Sequence, residues 1–287
     1  MEWIDRLNCV INYIEEHLTE EEDYEEMARI ACCSVYHFQR MFTYMAGVTL
    51  AEYIRRRKMS LAAVDLQDGE NKIIDVAVKY GYSSPTAFNR AFQNIHGIAP
   101  SQVRKDGMPV KSFPPLHFKM IVKGVGEMNY RIEKKEAFRI IGISCPLDSE
   151  LENNFAAVPQ LWQKAAVNGT IPRLAAHMDT PIKGVMGISV CGSDEDWRYY
   201  IAVASTQSGE GLEEYTVERF TWAVFPGEGV CPQAIQDLEQ RIVTEWLPTS
   251  GYEYANGPDV ELYISPEPQN AKFEVWIPVV KKQEMAE

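Results

Sequence analysis

The sequence contains no apolar run that approaches the roughly 18 residues needed for a membrane-spanning helix. A transmembrane segment is therefore not predicted, and no membrane partner is expected. The chain begins Met1-Glu2-Trp3-Ile4-Asp5, which is acidic where a secretory signal would be basic. No apolar segment with a small-residue cleavage site follows, so the expected location is cytoplasmic.

Metal-binding cysteine patterns are also missing. The six cysteines, at positions 9, 32, 33, 145, 191 and 231, form no CxxC pair and have no histidines at zinc-site spacing. We therefore predict no metal and no other cofactor. Cys32 and Cys33 are adjacent, and the simplest interpretation is a pair of reduced thiols, since adjacent cysteines rarely bridge each other.

Basic residues are scarce overall, with 28 Lys and Arg against 41 Asp and Glu and a net charge of −13. Nucleic-acid binding depends largely on Lys and Arg, so this total by itself argues against it. The distribution is uneven, however: residues 30–105 carry ten basic and five acidic side chains, whereas 1–29 carry two and ten, and 106–287 carry sixteen and twenty-six. Residues 30–105 are therefore a basic region within an acidic protein, as a nucleic-acid-binding segment would be, and 287 residues are enough for two domains.

The N-terminal third has the apolar spacing of short amphipathic helices. Two pairs of helices are separated by turns, at Cys32-Cys33-Ser34 and at Gly81-Tyr82-Ser83, and a longer helix joins the pairs. The predicted helices span residues 3–18, 24–31, 35–44, 50–66, 73–80 and 86–95. This is the pattern of two helix-turn-helix units.

The two units are internal repeats. SVYHFQRMF (34–42) and SPTAFNRAF (84–92) share Ser, Phe, Arg and Phe at identical spacing, fifty residues apart. Ser34 and Ser84 are predicted helix caps, with Pro85 at the first helical position of the second copy. The phenylalanines at 38, 42, 88 and 92 are predicted core residues.

The C-terminal half has strand-like alternation around two predicted helices. Strands are predicted at 130–143, 183–190 and 198–205 around a helix at 154–168, and again at 214–229, 259–265 and 272–280 around a helix at 232–247. The predicted domains are residues 1–106, a proline-containing linker and first strand at 107–127, and residues 128–282. The predicted fold is an all-α double helix-turn-helix domain followed by an α+β domain, in which duplicated β-α-β-β units surround an antiparallel sheet.

The paired helix-turn-helix pattern, with HFQRMF (37–42), AEYIRRRKMSLA (51–62) and the run 73–104, resembles the AraC/XylS family of transcription regulators, and within it the subgroup of MarA, SoxS and Rob. The resemblance implies that two recognition helices enter successive major grooves of promoter DNA, about 34 Å apart. It places DNA contacts at Tyr36, Gln39, Arg40, Pro85, Thr86, Asn89 and Arg90. Arg can pair with guanine, and Gln or Asn with adenine, although an Arg in this slot could instead contact phosphate alone.

From about residue 128 the chain resembles the GyrI-like effector-binding domain, through MNYRIEKKEAFRIIGIS (128–144), the duplicated order of elements and two glutamates thirteen residues apart. The resemblance implies a buried carboxylate among aromatic rings that receives a small amphipathic or cationic molecule. Alternation puts Glu261 beside Tyr263 and Glu274 beside Trp276, although strand glutamates more often face solvent. The other candidate lining residues, each of which could equally be core, are Trp162, Tyr199, Tyr200, Trp222 and Phe225.

These patterns predict a transcription regulator that is not an enzyme and whose DNA binding is controlled by a small-molecule effector. Activation through RNA polymerase is the expected outcome, because activation is the more common behaviour in the family. Two alternatives stay open. Glu261 could serve as a general base in a hydrolase of small reactive compounds, or the acidic C-terminal half could bind a protein partner.

Overall fold

The helices of the N-terminal third follow the predicted repeat in a computed structural model that describes residues 3–67, 69–105, 108–119, 127–148, 151–191, 197–265 and 267–282. The chain divides into two units between Ile121 and Val122. Within the described ranges, no helix has both the length and the apolar character needed to cross a bilayer. The first unit contains α1 Trp3–Glu16, α2 Tyr24–Ala31, α3 Val35–Ala46, α4 Leu50–Gln67, α5 Ile73–Lys79, α6 Pro85–His96 and a 3₁₀ turn at Pro100–Gln102.

The repeat is visible in the helix caps. Ser34 precedes α3 and Ser84 precedes α6, and each side chain accepts a hydrogen bond from a backbone amide in the first turn. Both helices end on a glycine with positive φ, Gly47 at 69° and Gly97 at 77°. Caps at both ends therefore recur fifty residues apart, and the predicted phenylalanines 38, 42, 88 and 92 are all fully buried.

Residues 108–119, here called the strap, belong to the first unit rather than to a free linker. The described strap contains no strand, so the first strand predicted within 107–127 is not found there, and residues 120–126 lie outside the described part. Asn8 exchanges two hydrogen bonds with the backbone of Phe118, at 3.0 and 2.8 Å. Phe113 donates its N–H to Ser60 at 2.9 Å and accepts from Arg57. Side chains of α1 and α4 thus satisfy the backbone of a segment that has no sheet or helix partner of its own.

His96 at the end of α6 forms a hydrogen bond with the strap, and its burial predicts that the stability of the first unit depends on pH. Its Nδ1 accepts from the backbone N–H of Lys111 at 3.1 Å, while Nε2 lies 3.1 Å from the carbonyl oxygen of Met59. Burial lowers the pKa of His96 below its ordinary value of 6.5, because the charged ring loses solvation. The unfolded chain therefore binds more protons, and the stability contributed by neutral His96 is present above about pH 6.5 and lost as the pH falls.

We expect thermal unfolding of the first unit to occur at lower temperature at pH 5.5 than at pH 7.5, with a smaller difference in His96→Gln. His17→Gln is the control, because His17 directly follows α1 and contacts the carbonyl of Tyr13 in that helix, at 2.7 Å, rather than the strap. A pKa of 6.5 or higher for His96 in an NMR titration would contradict this account.

The second unit is built on one antiparallel sheet with helices, and its α+β architecture confirms the predicted fold class. It contains β1 Arg131–Lys135, β2 Phe138–Pro146, α7 Leu151–Val167, α8 Thr170–Ala175, β3 Val185–Val190, β4 Arg198–Ala204, β5 Glu213–Val217, β6 Phe220–Gly229, α9 Gln233–Arg241, α10 Leu247–Thr249, β7 Tyr252–Tyr254, β8 Asp259–Tyr263 and β9 Ala271–Lys281. A π-helical turn, Ile242–Trp246, joins α9 to α10.

Each of the two long strands predicted at 130–143 and 214–229 is in fact a short strand followed by a long one. The strand order is β1-β6-β9-β8-β3-β4-β2-β5, so β1 of the first copy pairs with β6 of the second, and β5 of the second copy pairs with β2 of the first. The copies therefore exchange their short strands.

This exchange curls the sheet. Only two residues join β1 at one edge to β2 near the other, and they span at most about 11 Å. In a flat sheet, β1 and β2 would be six strand spacings apart, or roughly 29 Å. The sheet must therefore bend round, which gives it an inner face and an outer face. The inner face holds a core that includes Ile140, Met186, Ile188, Tyr200, Trp222, Val260 and Trp276.

Candidate functional site

Helix α6 presents its predicted DNA contacts to solvent. Pro85, Thr86, Asn89 and Arg90 are all exposed, while Phe88 between them is buried in the unit core. The first turn of α6 combines an Ser84 cap with proline at the first helical position, which fixes the helix start. Its polar face can therefore enter a groove without rearrangement of these side chains.

Helix α3 differs from α6 at the equivalent positions. Tyr36 and Gln39 are 7% and 5% exposed, and Arg40 is half-buried. The Arg40 guanidinium carbon lies 5.6 Å from the ring centre of Tyr36 and 5.9 Å from that of Tyr44. Contact of Tyr36 or Gln39 with a base would require that these side chains first become accessible.

In the second unit, Glu261 lies at the centre of the outer face with three aromatic side chains. Helix α7 packs over β2 and β4, and α9 over β6 and β9, so the central strands β3 and β8 lie between the two helices. Glu261 on β8 accepts hydrogen bonds at Oε2 from the hydroxyl groups of Tyr263 (2.9 Å) and Tyr199 (3.4 Å). Trp162 on α7 donates its indole N–H to the Tyr199 hydroxyl at 2.9 Å, and its ring lies edge-on to Tyr263 at 5.0 Å.

Burial and charge raise the pKa of two groups beside Glu261, Tyr263 and Cys231. The pKa of Tyr263 rises because the phenol is buried and because the Glu261 carboxylate disfavours a second negative charge. Burial, and then the same carboxylate, raise the pKa of the Cys231 thiol. Tyr263 therefore remains a hydrogen-bond donor and Cys231 remains a thiol at neutral pH.

The structure separates Glu274 from Glu261, and this corrects the expectation of one site with two acids. Leu262 is the residue directly opposite Glu274, so Glu274 and Trp276 point to the inner face while Glu261 points to the outer one. Glu274 forms an ion pair with Arg131 at 2.9 Å and accepts the indole N–H of Trp276 at 2.7 Å. The negative charge of Glu274 is therefore already paired with Arg131, which lies on another strand of the same sheet.

Three other predicted lining residues also lie away from Glu261. Tyr200 and Trp222 belong to the inner-face core. Phe225 is on the outer face but is fully buried, with the Trp246 ring at 4.9 Å. Of the predicted ligand residues, the structure therefore groups Glu261, Tyr263, Tyr199 and Trp162.

The outer face beside this group is loosely covered by α7. Among the described side chains of α7, only Asn154 and Ala165 are buried, whereas Val158, Leu161 and Trp162 on the same helical face are half-buried. A partly open apolar surface thus adjoins a carboxylate, which suits a molecule with both apolar and charged parts.

The sequence reasoning missed Cys231 and Gly187, which both lie near Glu261. Gly187 on β3 is directly opposite Glu261 in the sheet register, and β-bridge partners cannot be identified from sequence spacing alone. No group of three or more His, Cys, Asp or Glu side chains within the described ranges is arranged to hold a metal ion.

Two family models match the chain. Residues 131–279 match a family described as integron-associated effector binding protein, and residues 27–106 match a helix-turn-helix domain. The first match spans β1 through most of β9 and includes the whole Glu261 group.

Curated relatives match the first unit. The regulatory protein SoxS of Salmonella typhimurium is 36% identical over 98 residues, which is 34% of this chain and 92% of SoxS. The HTH-type regulator YbfP of Bacillus subtilis is 36% identical over 94 residues, and the matched region spans 33% of this chain but only 32% of YbfP.

A solved structure matches the second unit. A transcription regulation protein from Staphylococcus aureus MU50 is 21% identical, with a TM-score of 0.46, and the match covers 53% of this chain and 99% of that protein. Together, the two family models and the SoxS match confirm the resemblances predicted from the sequence. The chain belongs to the AraC-type helix-turn-helix regulators through its first unit and to the integron-associated effector binding protein family, a GyrI-like group, through residues 131–279.

Proposed function

We propose that this protein is a ligand-controlled transcription regulator in which the Glu261 group binds an amphipathic cation. The observation that carries the proposal is a carboxylate held by two phenols beside aromatic rings and a half-buried apolar helix face. A cation placed there gains charge pairing with Glu261 and attraction to the ring faces. Occupancy of the site changes how the first unit engages promoter DNA and RNA polymerase, with activation as the outcome.

Binding without turnover is part of the proposal. The phenols hold Oε2 of Glu261 in hydrogen bonds that orient the carboxylate, and the nearby Cys231 keeps its proton at neutral pH because its pKa is raised. A base for water activation would instead need an oxygen directed at a water or substrate. Recovery of the bound compound chemically unchanged supports a sensor, and release of a cleaved product supports the hydrolase alternative.

Replacement of Glu261 tests the ligand site. We expect Glu261→Gln to weaken binding of tetraphenylphosphonium by roughly tenfold or more in titration calorimetry, because a unit charge pair at an effective dielectric constant of about 20 contributes several kcal/mol before desolvation is subtracted. Glu274→Gln is the matched control: it removes the same charge from the inner face, where Arg131 is the partner, and should leave affinity unchanged. Equal affinities for wild type and Glu261→Gln would rule out this carboxylate as the cation receptor.

Replacement of the two repeat arginines tests the DNA-binding mode. We expect Arg90→Ala to weaken binding to a duplex site selected by the wild-type protein by about 5- to 150-fold, which corresponds to 1–3 kcal/mol for a base contact. Arg40→Ala should also weaken binding, since it occupies the same slot of the first repeat. Lys79→Ala, which removes a cation from α5 that is paired with Asp65, is the charge-matched control. If neither arginine variant loses affinity, these helices do not read the grooves as proposed.

A further inference from the structure

Gly187 lies directly beneath the meeting point of Tyr199 and Glu261. Glu261 on β8 is its partner across the sheet, and Tyr199 on β4 pairs with Ser189, two residues further along β3. Diagonal neighbours of this kind are within reach of an aromatic side chain. The Tyr199 ring therefore crosses over Gly187 to bring its hydroxyl to Glu261.

Position 187 requires glycine because neighbouring side chains leave no room for a Cβ atom. Its φ lies outside the positive range, so the backbone would accept an ordinary residue. A Cβ at this position would overlap the Tyr199 hydroxyl and would lie 3.0 Å from both Tyr199 Cζ and Glu261 Oε2. Glycine inside a strand is destabilising relative to alanine, and such positions mark places where another group approaches the backbone closely.

We propose that Gly187 is a positioning residue that sets which cations the Glu261 site accepts, an inference that rests on the proposed function of Glu261. With Gly187 in place, Oε2 accepts from both Tyr199 and Tyr263, which uses about two of the roughly four lone-pair sites of the carboxylate and leaves a ligand at most those of Oε1. A cation without N–H donors, such as a phosphonium or quaternary ammonium ion, interacts through charge and ring faces and loses nothing. A primary ammonium ion needs carboxylate lone pairs for its own N–H groups, so it is disfavoured.

Gly187→Ala should push the Tyr199 hydroxyl away from Glu261 and from the Trp162 indole. The selectivity is measured by titration calorimetry of the full chain with tetraphenylphosphonium and with 4-phenylbenzylammonium. We expect Gly187→Ala and Tyr199→Phe each to reduce the phosphonium-to-ammonium affinity ratio by about fivefold or more, the equivalent of one hydrogen bond at about 1 kcal/mol. The double variant should show no larger change than either single one, because both changes remove the same contact.

Tyr263→Phe provides the control for this comparison of single and double variants. Tyr263 is not among the atoms nearest to an added Cβ at 187, so Gly187→Ala combined with Tyr263→Phe should change the affinity ratio more than either single variant does, unlike its combination with Tyr199→Phe. A second readout needs no ligand: the NMR resonance of the Trp162 indole N–H, assigned with Trp162→Phe, should move in Gly187→Ala in the same direction as in Tyr199→Phe.

Each outcome decides a different point. If wild type binds phosphonium through Glu261 but Gly187→Ala keeps the selectivity, or if its effect adds to that of Tyr199→Phe, the role assigned to Gly187 is wrong. If wild type binds neither cation, the proposed function of Glu261 fails and the selectivity with it. An unchanged Trp162 resonance in Gly187→Ala would overturn the positioning role independently of any ligand.

Discussion

Glu15→Ala is expected to destabilise the first unit by about 3 kcal/mol or more, since removal of one partner leaves a buried charge uncompensated. The Arg57 side chain is 9% exposed and donates to both carboxylate oxygens of Glu15, at 2.8 Å from Nε and 2.7 Å from Nη2. Tyr53 donates its hydroxyl to the same carboxylate at 2.7 Å. Arg57 also donates to the strap at Phe113, so loss of Glu15 disturbs α1, α4 and the strap together.

Chemical denaturation of the full chain, followed by far-UV circular dichroism, measures this effect. Glu16→Ala is the matched control, because Glu16 is the adjacent, exposed carboxylate of α1. Faster proteolysis within residues 108–119 should accompany the loss of stability in Glu15→Ala. A change in unfolding free energy below about 0.5 kcal/mol, the usual range for surface substitutions, would show that the Glu15–Arg57 pair does not hold the unit together.

Trp222→Ala is expected to destabilise the second unit by about 3–5 kcal/mol, the usual cost of truncating a large buried aromatic side chain. Trp222 is fully buried on the inner face, with the rings of Phe220 at 5.6 Å and Trp276 at 5.9 Å. No hydrogen-bond partner for its indole nitrogen is found among the described residues. Trp222→Phe should therefore cost much less than Trp222→Ala, because it fills most of the space and removes an unsatisfied donor.

Trp162→Ala distinguishes the core of the sheet from the ligand site. Trp162 is half-buried on the outer face, so its truncation should cost less stability than that of Trp222 while weakening tetraphenylphosphonium binding. Thermal unfolding and calorimetry on the same preparations measure both properties. The inner and outer faces would have been assigned wrongly if Trp222→Ala retained wild-type stability but lost the cation.

The parts of the fold that depend on neighbours in the chain could be predicted from the sequence. Ser34, Ser84, Gly47 and Gly97 act within one turn of their own helices, so the fifty-residue repeat predicts both α3 and α6. The strap has the sequence pattern of a linker because its partners are distant in the chain: Arg57 and Ser60 lie more than fifty residues before Phe113, and Asn8 lies more than a hundred residues before Phe118. A segment whose backbone hydrogen bonds are made by distant side chains has no recognisable local pattern in the sequence.

In the candidate site, too, features set by neighbours in the chain could be predicted and features set by distant residues could not. Alternation correctly places Glu261 with Tyr263 and Glu274 with Trp276, because residues two apart in a strand share a face. It gives no information on the register between β8 and β9, and this register is what puts the two glutamates on opposite faces. Gly187 could not be recognised for a related reason: its role depends on two strands that are distant in sequence.

Because the short strands are exchanged, β1 cannot pair until much of the second copy has been synthesised. Strand β1 leaves the ribosome about ninety residues before its partner β6, a delay of roughly 5–20 s at ordinary elongation rates. During this interval β1 is an unpaired strand, and such strands are prone to join the edges of other chains. Four of its five residues, Arg131, Glu133, Lys134 and Lys135, are charged, which protects it from aggregation until the second copy arrives.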